Sequence, residues 1–197
     1  MNYLAHAYLS FGEPEILIGN MISDYVKGKK KYEYPAGIQK GIGLHRAIDT
    51  FTDSHEATRA AKAVFRPVYR LYSAAFTDVV YDHFLAIDKN EFGNSDLKTF
   101  SSGVYSVLDQ HRQYFPEKFA RLFPYMKAQN WLYNYHSLRG IELSFGGVVR
   151  RSLHLKESAT AFQLFIENYS LLQDCYTTFF TDVKSFAYNE FIKLQNS

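Results

Sequence analysis

The C-terminal part of the chain carries the pattern that most restricts its fold. Apolar side chains recur there every three or four residues, which places them on one face of an α-helix. The positions with this spacing are Phe162, Phe165, Ile166, Tyr169, Leu172, Tyr176, Phe180, Val183, Ala187 and Phe191. The pattern predicts one long helix or two stacked helices between residues 158 and 194. No stretch of any length alternates apolar and polar residues as a strand does, so the predicted fold class is all-α.

Composition limits the size and class of this fold. A chain of 197 residues that is 47% hydrophobic and 21% charged can bury one sizeable core, and we expect one helical domain over residues 1–197. The net charge of +2 gives no reason to expect nucleic acid as a partner. No apolar run is long enough to cross a membrane. The single cysteine, Cys175, excludes an internal disulfide framework and favours a cytoplasmic location.

Residues 41–53 carry the first candidate functional cluster. In a helix, His45, Asp49 and Asp53 are spaced four residues apart and lie on one face. Imidazole and carboxylate groups on a shared face are typical of a divalent metal site. The alternative is a solvated acidic face with a hydrogen-bonded histidine, because short motifs of this kind also occur without function.

A second cluster lies in a helix that we predict to begin at Pro67 and to end near Leu85. Asp82 and His83 are adjacent there in an apolar segment, and an adjacent Asp-His pair can bind one ion or orient one ligand through the other. The alternative is a surface ion-pairing face, although a carboxylate in apolar surroundings needs a partner. Before this helix, Asp53 and Ser54 are expected to cap a helix over residues 55–65.

Two further candidates lie near the N-terminus of the chain. His6 stands between apolar residues in a helix-compatible stretch, where a core histidine and a metal ligand are both possible. Asp24 is expected to close a helix that begins near Glu15. The run that follows it contains Lys27, Lys29, Lys30 and Lys31 and is predicted to be either a solvated loop or a docking surface for an acidic partner. Residues 89–96 are predicted to form a loop.

Five segments, in order along the chain, resemble the bacterial acyl carrier protein phosphodiesterases, which are divergent members of the HD superfamily of phosphohydrolases. They are residues 1–6 (MNYLAH), 19–28 (GNMISDYVKG), 41–49 (GIGLHRAID), 51–53 (FTD) and 81–85 (YDHFL). The resemblance continues more thinly through residues 131–135 and 147–151, so it covers most of the chain.

This resemblance implies an HD-like helical bundle and a specific reaction. The family hydrolyses the phosphodiester that joins 4′-phosphopantetheine to a serine of holo acyl carrier protein, with Mn²⁺ or a similar divalent ion such as Mg²⁺. Carried over by position, the residues expected to line the metal site are His6, Asp24, His45, Asp49, Asp82 and His83.

The same resemblance suggests roles for other side chains. Asp49 or Asp53 is expected to take the proton of the attacking water. Arg46, with Arg150 or Arg151, is expected to bind the phosphoryl oxygens. Because carrier proteins are acidic, Lys27, Lys29, Lys30 and Lys31 are expected to steer docking of this protein partner.

Two other functions stay open at this stage. One is an HD-type phosphohydrolase that acts on a nucleotide or another small phosphoester. The other is a non-catalytic helical binding protein that keeps the pocket as a scaffold. Neither the number of metal ions nor the oligomeric state follows from the sequence.

Overall fold

The computed structural model describes residues 1–93 and 96–196, apart from the side chain of Asp96, and all regular structure in these ranges is helical. The all-α prediction is therefore confirmed. The α-helices are α1 (Tyr3–Tyr8), α2 (Pro14–Ile22), α3 (Ala36–Ser54), α4 (Glu56–Tyr69), α5 (Ser73–Ile87), α6 (Asp96–Gln110), α7 (Glu117–Ala128), α8 (Trp131–Asn134), α9 (Leu138–Arg151), α10 (Ala159–Glu167) and α11 (Tyr169–Gln195). Short 3₁₀ helices lie at Ser23–Tyr25, Gly28–Glu33, Arg70–Tyr72 and Arg112–Tyr114.

The two C-terminal helices resolve the alternative left open by the apolar pattern. The pattern is split between α10 and α11, which meet at Asn168. Helix α11 packs against α3, α4 and α5, and its apolar stripe is buried from Leu172 to Phe191. This long helix therefore packs against α3, which carries the predicted functional cluster, and against the two helices that follow it in sequence.

The predicted boundaries around Pro67 are wrong. Helix α3 continues through Asp53 to Ser54, and His55 is the residue that caps α4 by accepting a hydrogen bond from the Ala57 N–H. Pro67 lies inside α4, near its end. The actual break comes at Arg70, whose φ of 48° is incompatible with continuing a right-handed helix.

The predicted loop over residues 89–96 can be followed only in part. Residues 89–93 form turns, and α6 begins at Asp96. Asn94 and Ser95 lie outside the described residues.

Helices α2 and α3 cross at two glycines, which brings α2 close to the part of α3 that carries the functional cluster. A Cβ on Gly19 would lie 2.2 Å from the Ile38 carbonyl oxygen, and a Cβ on Gly41 would lie 2.4 Å from that of Ile16. Only a residue without a side chain allows the two backbones to approach this closely. The contact fixes Asn20, at the end of α2, opposite His45 in α3.

Among the described helices, none is both long enough and apolar enough to cross a membrane.

Candidate metal centre

Three side chains from two helices form a compact cluster of metal-ligating atoms. His6 comes from α1, whereas His45 and Asp49 come from consecutive turns of α3, and one ligand atom of each lies within 4.8 Å of the others. Asp49 Oδ1 lies 3.2 Å from His6 Nε2, and Asp49 Oδ2 lies 3.0 Å from His45 Nε2. The two imidazole rings stack with their centroids 3.9 Å apart.

Asp24 adds a fourth group at the open side of this cluster. Its Oδ1 lies 3.2 Å from His45 Nε2, and its side chain is 67% exposed. Asp24 lies in the 3₁₀ helix Ser23–Tyr25 and not in α2, so the predicted end of that helix is too late by two residues. Four of the six predicted metal residues therefore meet in one place: His6, Asp24, His45 and Asp49.

Asn20 orients both histidines, and its hydrogen bonds identify their tautomers. Ser10 Oγ donates to the His6 carbonyl and so accepts from Asn20 Nδ2. Asn20 Oδ1 therefore faces His6 Nδ1, 2.9 Å away, and this nitrogen must carry the proton that it donates. His45 Nδ1 in turn donates to the Asn20 main-chain carbonyl over 2.8 Å. In the neutral form of each ring, Nε2 is left as a lone pair aimed into the cluster.

Two atoms that face the cluster make no hydrogen bond within the described residues, although the Met1 ammonium lies 3.5 Å from one of them, Asp49 Oδ1. His6 Nε2 and Asp49 Oδ1 are buried and make no hydrogen bond to any described residue, although they lie 3.2 Å apart. A lone pair and an anionic oxygen at this distance repel each other unless a cation lies between them. A histidine whose other nitrogen donates to a carbonyl is the usual arrangement of a metal ligand. The residues present therefore fit a divalent ion.

The titration of the two histidines differs because their partners differ. Burial, together with the neighbouring His45, lowers the pKa of His6 to about 4, so this ring is neutral at physiological pH. Burial would also lower the pKa of His45, but hydrogen bonds to Asp24 and Asp49 outweigh it and raise the pKa to about 9. The hydrogen bond from His45 holds the pKa of Asp24 below its usual value. Burial would raise the pKa of Asp49, but His45, His6 and the Met1 ammonium hold it well below its usual value.

The site includes groups that sequence reasoning did not place there. The Met1 ammonium lies 3.2 Å from Asp78 Oδ1 and 3.5 Å from Asp49 Oδ1. Burial alone would lower the pKa of this ammonium, but Asp78 and Asp49 raise it to about 10. Asn20 was also missed. Its position four residues before Asp24 was the available signal, but asparagine in an apolar helix gives no chemical cue of its own.

Asp82 and His83 are not part of the cluster, which corrects the expectation that they line the metal site. Asp82 accepts hydrogen bonds from the Leu4 and Ala5 N–H groups at the start of α1, over 2.8 and 3.1 Å. Burial raises the pKa of Asp82 to about 7 despite these two donors. Its carboxylate thus holds the N-terminus of the helix that carries His6, which is a positioning contact.

Both nitrogens of His83 are engaged on the other side of α5. Nδ1 donates to the Tyr135 carbonyl over 2.7 Å, and Nε2 accepts from the Tyr169 hydroxyl over 2.9 Å. No lone pair of this ring is left for a metal. The reason is rotation around the helix, since consecutive residues point about 100° apart.

Of the predicted catalytic residues, Asp49 lies in the cluster and Asp53 does not. Asp53 is one turn further along α3, about 6 Å along the axis, and is paired with Lys62 Nζ at 2.7 Å. Arg46 donates from Nη2 to the Val26 carbonyl over 2.8 Å. Its guanidinium therefore lies beside the segment that follows Asp24 and ties this segment to α3.

The predicted substrate-binding residues lie on two separate surfaces. Lys27, Lys29 and Lys30 are exposed, and Lys31 is half-buried with its Nζ 4.9 Å from the centre of the Tyr32 ring. This run forms a 3₁₀ helix and not an irregular loop. Arg150 and Arg151 lie at the end of α9 and line a cavity of about 590 Å³.

The segments that carry the cluster all lie in a part of the chain that is similar to known proteins. Residues 1–183 match the sequence profile described as acyl carrier protein phosphodiesterase. The chain belongs to this family.

Several members of the acyl carrier protein phosphodiesterase family are similar over most of their length. The protein of that name from Photorhabdus laumondii is 32% identical, over 86% of this chain and 86% of its own. The one from Yersinia pestis is 33% identical over 91% of this chain and 94% of its own, and the one from Serratia proteamaculans is 32% identical over the same shares. No solved structure matches this chain, so the HD-like kinship stays a prediction.

Proposed function

We propose that this protein is a metal-dependent phosphodiesterase that removes 4′-phosphopantetheine from holo acyl carrier protein. The observation that carries the proposal is the buried pair His6 Nε2 and Asp49 Oδ1, which lie 3.2 Å apart without a hydrogen bond to any described residue, in a chain of this family. Buried polar atoms are normally satisfied, and unsatisfied ones mark the place of a missing ion or a function. The reaction consumes water, breaks the bond between phosphorus and the serine oxygen, and returns a proton to that oxygen.

We assign the ion to His6, His45, Asp49 and Asp24. Two imidazole nitrogens with two carboxylates suit Mn²⁺ and other divalent ions of similar preference. Such an ion supplies Lewis-acid chemistry, which acidifies water and polarises a phosphoryl oxygen. Asn20 holds both histidine rings by their Nδ1 protons, so the ligand geometry is fixed before an ion binds.

The remaining steps belong to side chains of the chain itself. Since Asp53 is paired with Lys62, Asp49 is the better candidate of the two for taking the proton of water. Arg46 uses one N–H group on Val26 and keeps its other donors for the non-bridging oxygens of the phosphodiester. Arg46→Lys would keep the charge but lose the forked geometry.

The carrier protein would dock on the lysine run. Lys27, Lys29 and Lys30 project from the segment that follows Asp24, on the exposed side of the cluster. An acidic protein attracted to this surface would bring its modified serine toward the exposed carboxylate of Asp24.

The test is restoration of activity by metal after chelation. Protein treated with a chelator and dialysed should leave holo carrier protein intact, and added Mn²⁺ should restore its conversion to the apo form. Asp24→Ala and Asp49→Ala should both fail to respond to Mn²⁺ while keeping a folded circular dichroism spectrum. Cleavage of nucleotides or small phosphoesters with no conversion of holo carrier protein would favour a different phosphohydrolase.

A further inference from the structure

Next to the metal cluster lies a cavity that none of the assigned steps uses. It has a volume of about 590 Å³ and lies between α7, α8 and α9, with residues from the start of the chain closing one side. Most of its wall is aromatic or aliphatic, as in pockets that hold organic ligands, and its size falls in their usual range. The apolar wall includes Tyr3, Leu122, Tyr125, Trp131 and Leu143.

The cavity adjoins the cluster through a chain of contacts. Trp131 and Tyr3 have ring centroids 6.4 Å apart, and the hydroxyls of Tyr3 and Tyr25 share a hydrogen bond of 2.7 Å. Tyr25 directly follows Asp24. Asn2 and Tyr3 line the cavity, while Met1 lies against Asp49. Two residues of the cavity wall, Asn2 and Tyr3, therefore directly follow the residue that contacts Asp49 of the cluster.

Two guanidinium groups stand at this cavity without an acidic partner. Within the described part of the chain, neither the Arg150 nor the Arg151 side chain makes a hydrogen bond or an ion pair. The same cavity is lined by Arg150, Arg151, Asn2 and Tyr3, and the Met1 residue that precedes Asn2 contacts Asp49 of the cluster. Unpaired arginines beside an apolar cavity are suited to a ligand that joins an anionic group to a long neutral body.

Apart from the two arginines and the tyrosine hydroxyls, the polar groups of the wall are neutral amides and one serine hydroxyl. Asn2, Gln129, Asn134 and Ser144 line the cavity together with the apolar side chains. Such groups pair with the amide N–H and C=O groups of an uncharged chain but offer nothing to a second charge. A nucleotide base with a sugar and several phosphates matches this wall poorly, since only one side of the cavity is cationic.

We propose that this cavity binds the pantetheine arm of the substrate, with its phosphate toward Arg151 and the metal cluster. The arm is an extended neutral chain with two amides and a branched aliphatic segment, and it ends in a phosphate at one side. It thus matches the cavity in size, in amide content and in the position of the charge. The inference rests on the proposed function and adds that recognition comes from the arm as well as from the carrier protein.

Trp131 makes the binding step measurable without turnover. It is the only tryptophan of the chain and lines the cavity, so its fluorescence reports on occupancy. Titration of the wild-type protein with pantetheine and with 4′-phosphopantetheine should change this fluorescence saturably. The phosphorylated compound should bind more tightly, and Arg151→Ala should remove most of that difference while leaving the affinity for pantetheine nearly the same.

A matched pair of substitutions tests the location. Ser144 lines the cavity on α9, and Ser102 is an exposed serine on α6 that does not. Ser144→Phe should weaken pantetheine binding and raise KM for holo carrier protein at least about tenfold, as expected for a filled subsite. It should affect hydrolysis of bis(4-nitrophenyl) phosphate, which has no arm, much less. Ser102→Phe should change none of these quantities.

The outcomes separate this inference from the proposed function. Cleavage of holo carrier protein with no fluorescence response to pantetheine, and with equal KM for Ser144→Phe and Ser102→Phe, would overturn the cavity assignment and leave the function standing. A saturable response to pantetheine in a protein that cannot cleave holo carrier protein would support the cavity and contradict the function. A response that depends only on protein concentration would mean that a second copy covers the cavity, and would overturn the assignment.

Discussion

Asn20 is the residue on which both histidines of the cluster depend. It is almost fully buried, and its side-chain and main-chain oxygens each accept a hydrogen bond from a different imidazole. We expect Asn20→Ala to lower Mn²⁺ affinity about 10- to 100-fold, because His6 loses the acceptor that fixes its tautomer. Isothermal titration calorimetry measures this affinity directly.

Asn20→Asp is the control for this prediction. It keeps an acceptor for His6 Nδ1 and should retain more of the affinity than Asn20→Ala. Thermal denaturation of the metal-free variants separates loss of fold from loss of ligand geometry. An Asn20→Ala variant that is folded and binds Mn²⁺ as tightly as wild type would contradict the role assigned to Asn20.

His45 links metal binding to pH. Asp24 and Asp49 raise its pKa to about 9 in the metal-free protein, so the ring is protonated at neutral pH and must lose a proton to bind an ion. Affinity for Mn²⁺ should therefore rise roughly tenfold per pH unit up to about pH 9. Calorimetry in buffers of different ionisation enthalpy should detect about one proton released per ion at pH 7.5. Binding without proton release would show that His45 is not a ligand.

The same shift predicts the pH dependence of stability without metal. The folded pKa of His45 is above its unfolded value of 6.5. Its contribution to the free energy of unfolding is thus complete below about pH 6.5 and lost as the pH rises through 9.

The residues of the cluster differ in how well the sequence predicts them. His45 and Asp49 were found because a spacing of four forces two side chains onto one helix face. Asp82 and His83 were misplaced because adjacency shows which residues are near each other but not which neighbouring helix each faces. The N-terminus of α1 needs an acceptor, and it takes Asp82. Contacts of this kind are set by packing between distant segments.

At the scale of elements, the crossing of α2 and α3 positions the site. Gly41→Ala would place a methyl group 2.4 Å from the Ile16 carbonyl oxygen and force the helices apart. Overpacking of this kind costs about 1–3 kcal/mol of the free energy of unfolding, and the displaced Asn20 should weaken Mn²⁺ binding as well. Urea denaturation measures the first effect and calorimetry the second.

Gly43 provides the matched control on the same helix. A Cβ there meets no atom within 4 Å, so Gly43→Ala should stabilise α3 by about 1 kcal/mol through helix propensity alone. If Gly41→Ala and Gly43→Ala were equally stable, the close approach of the two backbones would not be required for the fold.

The sequence predicted helices from the local spacing of apolar residues, but it did not predict features that depend on packing between distant segments. The spacing of apolar residues correctly predicted helical structure between residues 158 and 194, but it left open whether one helix or two form there. Pro67 was taken as a helix start, yet α4 continues past it to Tyr69, so this proline removes one N–H donor without ending the helix. The close contact between α2 and α3 at Gly19 and Gly41 could not be predicted, because the sequence does not show which backbone packs against a helical glycine.

At the scale of the whole molecule, the proposed docking surface is the exposed lysine run that follows Asp24. Neutralising Lys27, Lys29 and Lys30 to Gln should raise KM for holo carrier protein and flatten its dependence on ionic strength, with kcat nearly unchanged. Hydrolysis of a small chromogenic phosphodiester should be the same as in wild type, since it needs no docking surface. Equal losses on both substrates would mean that the lysines act on the fold instead.

The most direct measurement is mass spectrometry of a reaction with holo carrier protein and Mn²⁺ in ¹⁸O-labelled water. Attack of water on phosphorus, with Asp49 and the histidines around the ion, predicts one ¹⁸O atom in the released 4′-phosphopantetheine and an unlabelled apo carrier protein. Chelator-treated protein should give neither product. Label in the carrier protein, or a carrier protein that keeps its prosthetic group in the presence of Mn²⁺, would contradict the proposed phosphodiesterase.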